Sequence, residues 1–316
     1  MQTGNQPNKG GTDVKRRALL LAMPLAVIVR AAAAAPPRVV ATFSVLGDMV
    51  QRIAGSHVTL TTIVGPDGDT EAYEPTAADA RALAEADLLV MNGLNLEFEP
   101  WLESLLQQAQ FHGVKSVASD GVRTIRKSDE TNASGNAKSD ELDQHAWHDV
   151  ANGAIYATNI AAALIRLDPA HADDYRAQVD AYQRELLELD GWAKQRIAEV
   201  PAGKRKVITS HDGFAYLARA YGITIIGARG WTNDKEASAA QVARLIQQIK
   251  QDKVRAIFIE NMNDPRLIQR VAREAGATVG GELYSDALSK PDEDGGTYVK
   301  MVRHNIETLR AGMLKN

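Results

Sequence analysis

Apolar runs alternate with amphipathic stretches along this chain, in two sets on either side of one long helical segment. The first set reads as strands at Arg38–Phe43, His57–Val64, Asp87–Met91 and Val114–Val117, with helices at Leu46–Ala54, Ala77–Ala86 and Pro100–Gln110. The second begins at Lys206, with strands at Val207–Ser210, Thr224–Ile226, Ala256–Glu260 and Thr278–Gly280. Its helices fall at Phe214–Tyr221, Ser238–Gln251, Pro265–Ala275 and Thr297–Leu309. Strands alternating with helices predict an α/β fold: two mostly parallel four-stranded sheets, each flanked by helices. The halves share a layout without a clear sequence repeat.

Between the sets, a helix is expected from about Val150 to Arg166, then one long helix over Pro169–Val200. In the latter, Tyr175, Val179, Tyr182, Leu186, Leu189, Ala193 and Ile197 recur every three or four residues and so share one face. Such a helix is roughly 45 Å long, enough to run along both sheets. Thr124 to Gln144 is rich in Ser, Asp, Asn and Lys and reads as a surface loop. Open α/β sheets bind ligands beyond the carboxyl ends of their strands, so two facing sheets would enclose a ligand between them.

The N-terminus carries an address. Lys15, Arg16 and Arg17 precede the apolar run Ala18–Val29, and the small residues Ala31–Ala35 lead to Pro36. That order is a secretory signal, with cleavage expected between about Ala33 and Ala35; an uncleaved anchor is the alternative. No later stretch is expected to be long and apolar enough to be a transmembrane helix. The chain has 316 residues and a formal charge of −4, which leaves no basic footprint for nucleic acid. It contains no cysteine, so disulfides, thiolate metal sites and cysteine nucleophiles are excluded, and any metal must be held by His and carboxylates. With no cysteine to carry a lipid, the expectation is a free periplasmic protein.

Four residues in loops or at helix starts carry candidate chemistry. Glu71 follows the turn Gly65-Pro66-Asp67-Gly68, and His145 lies in Asp143-Gln144-His145-Ala146-Trp147-His148-Asp149. His211 directly follows the strand Val207–Ser210, and Asp286 lies in Leu283-Tyr284-Ser285-Asp286. Imidazole and carboxylate together suit first-row divalent metals. Singly, each is more often an ordinary polar residue; His57, His112, His171 and His304 sit at element edges or on the last helix and need no special role. His148, three residues after His145, is an alternative ligand. Asp212, Glu236 and Glu260 are candidates for orienting a ligand histidine.

The same residues carry a resemblance. The chain from about Arg38 onward resembles the solute receptors of bacterial ABC importers for zinc and manganese. The likeness lies in Phe43-Ser44-Val45-Leu46-Gly47-Asp48, Tyr73-Glu74-Pro75-Thr76, Ala86-Asp87-Leu88 and Asn92-Gly93-Leu94-Asn95-Leu96-Glu97. It continues in His145-Ala146-Trp147, His211-Asp212-Gly213-Phe214-Ala215-Tyr216 and Tyr284-Ser285-Asp286. The resemblance implies two lobes joined by one long rigid helix, with a metal between them. The expected division is a signal peptide at 1–35, lobes at 36–166 and 204–316, and a linking helix at 167–203.

It also implies a ligand set. His145 and Asp286 match the family pattern, and His211 matches its zinc-type members. The first ligand is normally His, two residues before the Tyr of the Tyr-Glu-Pro motif, and here that position is Glu71. Two carboxylates that bind through both oxygens raise the coordination number and suit manganese, whereas intrinsic affinity favours zinc. Both readings stay open, as does the one in which water replaces Glu71.

The resulting expectation is a monomeric binding protein that captures one Zn2+ or Mn2+ and docks on an inner-membrane ABC permease. Its affinity should fall on acidification as protons compete for the ligands. A metal-dependent hydrolase is a second reading, though no His-Glu-x-x-His helix or Ser-centred nucleophile motif is present. A surface adhesin is a third, with no adhesive repeat to support it.

Overall fold

The computed structural model describes residues 1–4, 6, 10, 35–97, 100–127, 141–227, 239–252, 254–262 and 265–316. Residues Pro36–Asn316 form one unit, separate from Met1–Ala35. The segment read as a secretory signal, like most of Thr124–Gln144 and the position of Glu236, lies outside the described residues.

The first sheet holds β1 (Arg38–Phe43), β2 (Thr59–Val64), β3 (Leu88–Met91) and β4 (Val114–Val117) in the order β2-β1-β3-β4, every pair parallel. The second repeats this arrangement with β5 (Lys206–Thr209), β6 (Thr224–Gly227), β7 (Ala256–Glu260) and β8 (Thr278–Leu283), in the order β6-β5-β7-β8. Central strands are covered on both faces and therefore read as continuous apolar runs: all four residues of β3 are buried, and five of the six in β1. The edge strand β2 alternates exposed and half-buried positions before its buried end. In each sheet the chain reverses direction beside the central strand β1 or β5. The crevice beyond the carboxyl ends of the strands opens there.

Crossover helices cover the sheets: α1 (Ser44–Ala54), α2 (Ala77–Ala84), α3 (Pro100–Gln108) and α4 (Val150–Leu167) on the first. The second carries α6 (Ala215–Tyr221), α7 (Ala239–Asp252), α8 (Pro265–Ala275) and α9 (Tyr298–Met313). Between them runs α5 (Ala172–Ala198), 27 residues and about 40 Å long. Its buried residues are Tyr175, Val179, Tyr182, Leu186, Leu189, Ala193 and Ile197, the stripe the sequence spacing predicts. A short 3-10 turn, Pro169–His171, replaces the first turn expected of it. One large core extends along the unit from Val39 to Met313. A smaller one, built on Ile208, Ile257, Leu245, Ile249 and Val271, fills the space under α7 and α8.

One sequence expectation fails here. Helix α4 is long and apolar enough to cross a membrane by length and composition alone. Half of it is buried in the protein, with Tyr156, Ile160 and Leu164 fully covered. A core helix sandwiched by neighbours needs no polar stripe, which explains its composition.

Candidate metal centre

Three of the four candidate ligands follow a strand into the crevice, and His145 stands at the head of a helical turn. After β2, the side chain of Asp69 accepts hydrogen bonds from the amides of Glu71 (2.9 Å) and Ala72 (3.1 Å). This Asx turn presents Glu71 inward. Next, Thr76 and Asp79 form a capping box at the start of α2, and Tyr73 donates to Asp79 at 2.8 Å. His145 immediately precedes the 3-10 turn Ala146–His148. His211 follows β5 by two residues, and Asp286 follows β8 by three.

These four residues, distant in sequence, converge. One donor atom from each of Glu71, His145, His211 and Asp286 lies within 4.8 Å of all the others. His145 Nε2 is 3.5 Å from Asp286 Oδ1, 3.6 Å from Glu71 Oε1 and 3.4 Å from His211 Nε2, and His211 Nε2 is 3.7 Å from Asp286 Oδ2. His145, His211 and Asp286 are buried, and the side chain of Glu71 is 30% exposed. Both carboxylate oxygens of Asp286 are buried without a hydrogen-bond donor. A buried, unpartnered carboxylate is costly, so its presence calls for a compensating charge.

The histidines are oriented from behind. His145 Nδ1 lies 2.9 Å from Asp143 Oδ1, which also accepts the His145 amide at 2.8 Å. His211 Nδ1 pairs with Glu260 Oε2, while the other oxygen of Glu260 accepts from Ser210 Oγ (2.5 Å) and the His211 amide (3.1 Å). With Nδ1 turned toward a carboxylate, each ring directs Nε2 into the cluster. Tyr216 supports this wall by donating to the Asp143 carbonyl at 3.0 Å.

Charge is dense here. Burial disfavours the charged form of His145, but Asp286, Asp143 and Glu71 outweigh it and hold its pKa well above the ordinary value. His211 is likewise opposed by burial and raised to about 9 by Glu260 and Asp286. Burial drives Asp286 up to about 7 against the pull of both histidines. Burial also works against the Glu71 carboxylate, but His145 and His211 lower its pKa overall. The cluster thus holds protons in the place where a cation's charge would sit.

Of the other candidates, Glu260 reaches the candidate ligand His211 and Asp212 is exposed. His148 is not among the four. It is buried against Phe214, ring centroids 4.6 Å apart, with Nε2 lacking a hydrogen-bond partner. Burial, with His145 and His211 nearby, depresses its pKa to about 3. His57 and His171 stack at 4.0 Å against Asp174 and Asp168, away from the cluster. Sequence reasoning missed Asp143 and Gln144. Their only signal there was adjacency to His145.

Two parallel-sheet halves, a long connecting helix and a buried His/carboxylate cluster at the strand ends define a two-lobed solute-binding protein of the metal-receptor type. Residues 39–312 match the family described as the zinc-uptake complex component A, periplasmic, and the chain belongs to it. It is 33% identical over 282 residues to the manganese ABC transporter substrate-binding lipoprotein PsaA of Streptococcus pneumoniae, covering 88% of this chain and 89% of that one. It is 31% identical over 282 residues to the iron ABC transporter substrate-binding lipoprotein MtsA of Streptococcus pyogenes serotype M1, with the same coverage. Among solved structures, the Mn-bound periplasmic metal binding protein of Candidatus Liberibacter asiaticus superposes with a TM-score of 0.75 at 32% identity, covering 87% of this chain and 98% of that one. The periplasmic zinc binding protein TroA of Treponema pallidum gives 0.77 at 31%, covering 88% and 99%.

The relatives' names correct one expectation. The absence of cysteine led to an unanchored periplasmic protein, but the curated relatives are named as lipoproteins. The extracytoplasmic placement stands, and freedom from a lipid anchor is withdrawn. The absent cysteine is a property of this sequence and did not license an inference about how such receptors are held.

Proposed function

We propose that this protein captures one divalent transition-metal ion, Zn2+ or Mn2+, through Glu71, His145, His211 and Asp286, and delivers it to an ABC import permease. The observation that carries this reading is the convergence of four donor atoms within 4.8 Å of one another, three of them on buried residues. Donors bound at ~2.1 Å around a tetrahedral ion lie about 3.4 Å apart, close to the spacings in this cluster. Two carboxylates balance the ion's charge, and the imidazoles add softer donors. Residues 36–166 and 204–316 act as the lobes, joined by 167–203, in a monomer with no nucleic-acid partner.

A receptor fits better than a hydrolase. A catalytic ion keeps a position open for water and a base beside it, whereas here four protein donors already surround one point. The test is a metal titration of the purified protein, with bound metal counted by elemental analysis. One ion per chain is expected. His211→Ala should weaken binding by more than the roughly 100-fold that loss of an outer hydrogen-bonding partner brings. Unchanged stoichiometry and affinity in that variant would remove the ligand assignment. Metal-dependent turnover of ester or phosphate substrates would favour the hydrolase.

A further inference from the structure

Glu71 is the most exposed of the four candidate ligands, on a loop, with three side-chain rotors to fix. A carboxylate left free there would spend its time in water, and holding it costs rotamer entropy. One neighbour removes that freedom. The side-chain amide of Gln144 donates to Glu71 Oε1, the oxygen that faces His145 Nε2. Gln144 is itself 7% exposed and firmly placed. Its backbone carbonyl accepts from Asn92 Nδ2 at 2.9 Å. Asn92 is fully buried, and its side-chain oxygen Oδ1 accepts from the Tyr156 hydroxyl at 2.5 Å. The Asn92 and Gly93 amides donate to the buried carboxylate of Glu97 at 2.6 and 2.9 Å, and Thr42 at the end of β1 donates to it at 2.7 Å. The segment Asn92-Gly93-Leu94-Asn95-Leu96-Glu97 is thereby a clamp whose far end is Glu71.

We infer that Gln144 is the positioning residue that makes Glu71 a metal ligand, and that through it this site discriminates between hard and softer divalent ions. The inference rests on the metal-binding reading above. A neutral amide is well suited to that role, because it orients the carboxylate without cancelling the negative charge a cation needs, as a lysine would. With Glu71 held, the site offers two carboxylates, the oxygen-rich set that suits Mn2+. With Glu71 released, two histidines and Asp286 remain. Three protein ligands and a water are an ordinary zinc arrangement. Loss of Gln144 should therefore harm Mn2+ binding more than Zn2+ binding.

The experiment is competitive titration of the full chain with Mn2+ and with Zn2+, in the wild type, Gln144→Leu, Glu71→Ala and the double variant. Gln144→Leu is expected to weaken Mn2+ binding by 10- to 100-fold, the range for an outer-shell partner, and Zn2+ by much less. In the Glu71→Ala background the same change should have no further effect, because Gln144 acts only through Glu71. Gln144→Glu keeps the size but sets carboxylate against carboxylate. It should reproduce the Mn2+ loss, again only while Glu71 is present, and it serves if the leucine variant fails to fold. Equal Mn2+ losses with and without Glu71 would show a general structural role and overturn the inference, as would a Glu71→Ala protein with wild-type Mn2+ affinity. In either case retained binding of one ion by the wild type, lost in His211→Ala, leaves the receptor reading intact. A wild type that binds neither ion would remove both.

Discussion

Asp48 shows how one side chain links distant parts of the chain at an electrostatic cost. It lies on α1, and its carboxylate accepts the first amide of α9, from Tyr298, at 2.9 Å. An anion at a helix N-terminus is favourable, but burial dominates here and lifts its pKa from 3.8 to about 6, against the pull of the Tyr298 amide and Arg52. Because the folded pKa lies above the unfolded one, the native state binds this proton more tightly. The associated stability is full below pH 3.8 and is lost as the pH rises through about 6. Across that window the loss amounts to roughly 3 kcal/mol at most. Asp48→Asn keeps an acceptor for Tyr298 and removes the buried charge. Thermal melts should show the variant level with wild type near pH 4 and several degrees more stable at pH 7. An offset that stays constant over this range would show that burial of the charge is not the cause.

At the scale of elements, α4 and α9 meet through a glycine. A side-chain carbon on Gly153 would come within 2.6 Å of the Tyr298 hydroxyl and 3.0 Å of its ring. Tyr298 cannot yield: it is fully buried, and its hydroxyl donates to the Trp147 carbonyl at 2.6 Å. Alanine is normally worth about 1 kcal/mol over glycine inside a helix, but overpacking a closed site costs about 1–3 kcal/mol. Overpacking should win. Urea unfolding of Gly153→Ala is expected to show net destabilisation, and a stabilised variant would mean that the contact relaxes freely. Glycine also explains where the sequence misled. Strand β8 was expected to stop at Gly280, yet it continues to Leu283 through a register shift opposite Ile257 and Phe258. Gly281 takes φ +145°, and a side chain on Gly280 would strike the Phe258 ring at 2.7 Å. The pair marks a bulge under close packing, which in sequence looks the same as a strand end. The α5 stripe, by contrast, was legible residue by residue, since burial of one helix face imposes its period directly. The four converging side chains were legible only through motif resemblance. Their convergence depends on loops after four different strands, and no local pattern encodes that. Asp143 and Gln144 act through bonds whose partners lie far away in the chain or carry no periodic signal.

Across the whole molecule, the two halves are joined around the candidate metal site along two edges of unequal strength. At one edge the run Ser285–Leu288 leaves the second sheet and binds the first half. Trp147 Nε1 donates to the Ser285 carbonyl at 3.0 Å, Thr70 to the Asp286 carbonyl at 3.2 Å and the Asp67 amide to the Leu288 carbonyl at 2.8 Å, while the Leu288 amide donates to Ser44 at 2.9 Å. Asp286, though encoded late in the chain, thus belongs mechanically with Glu71 and His145. At the other edge Tyr216, beyond His211, accepts the Ile125 amide at 3.1 Å and donates to the Asp143 carbonyl at 3.0 Å. Amide exchange reports local opening, and a segment held by several buried bonds should open less often than one held by Tyr216 and an exposed bond from Arg219 to the Arg123 carbonyl, at 3.1 Å. In metal-free protein the Leu288 and Asp67 amides are therefore expected to exchange far more slowly than that of Ile125. Tyr216→Phe removes the hydroxyl at the weaker edge. It should hasten exchange at Ile125, speed metal release by loosening the carboxylate behind His145, and leave Leu288 unchanged. Exchange at Leu288 as fast as at Ile125 would mean that Asp286 is not held by the first half, and that the cage comes apart with two ligands on each side rather than with His211 departing alone.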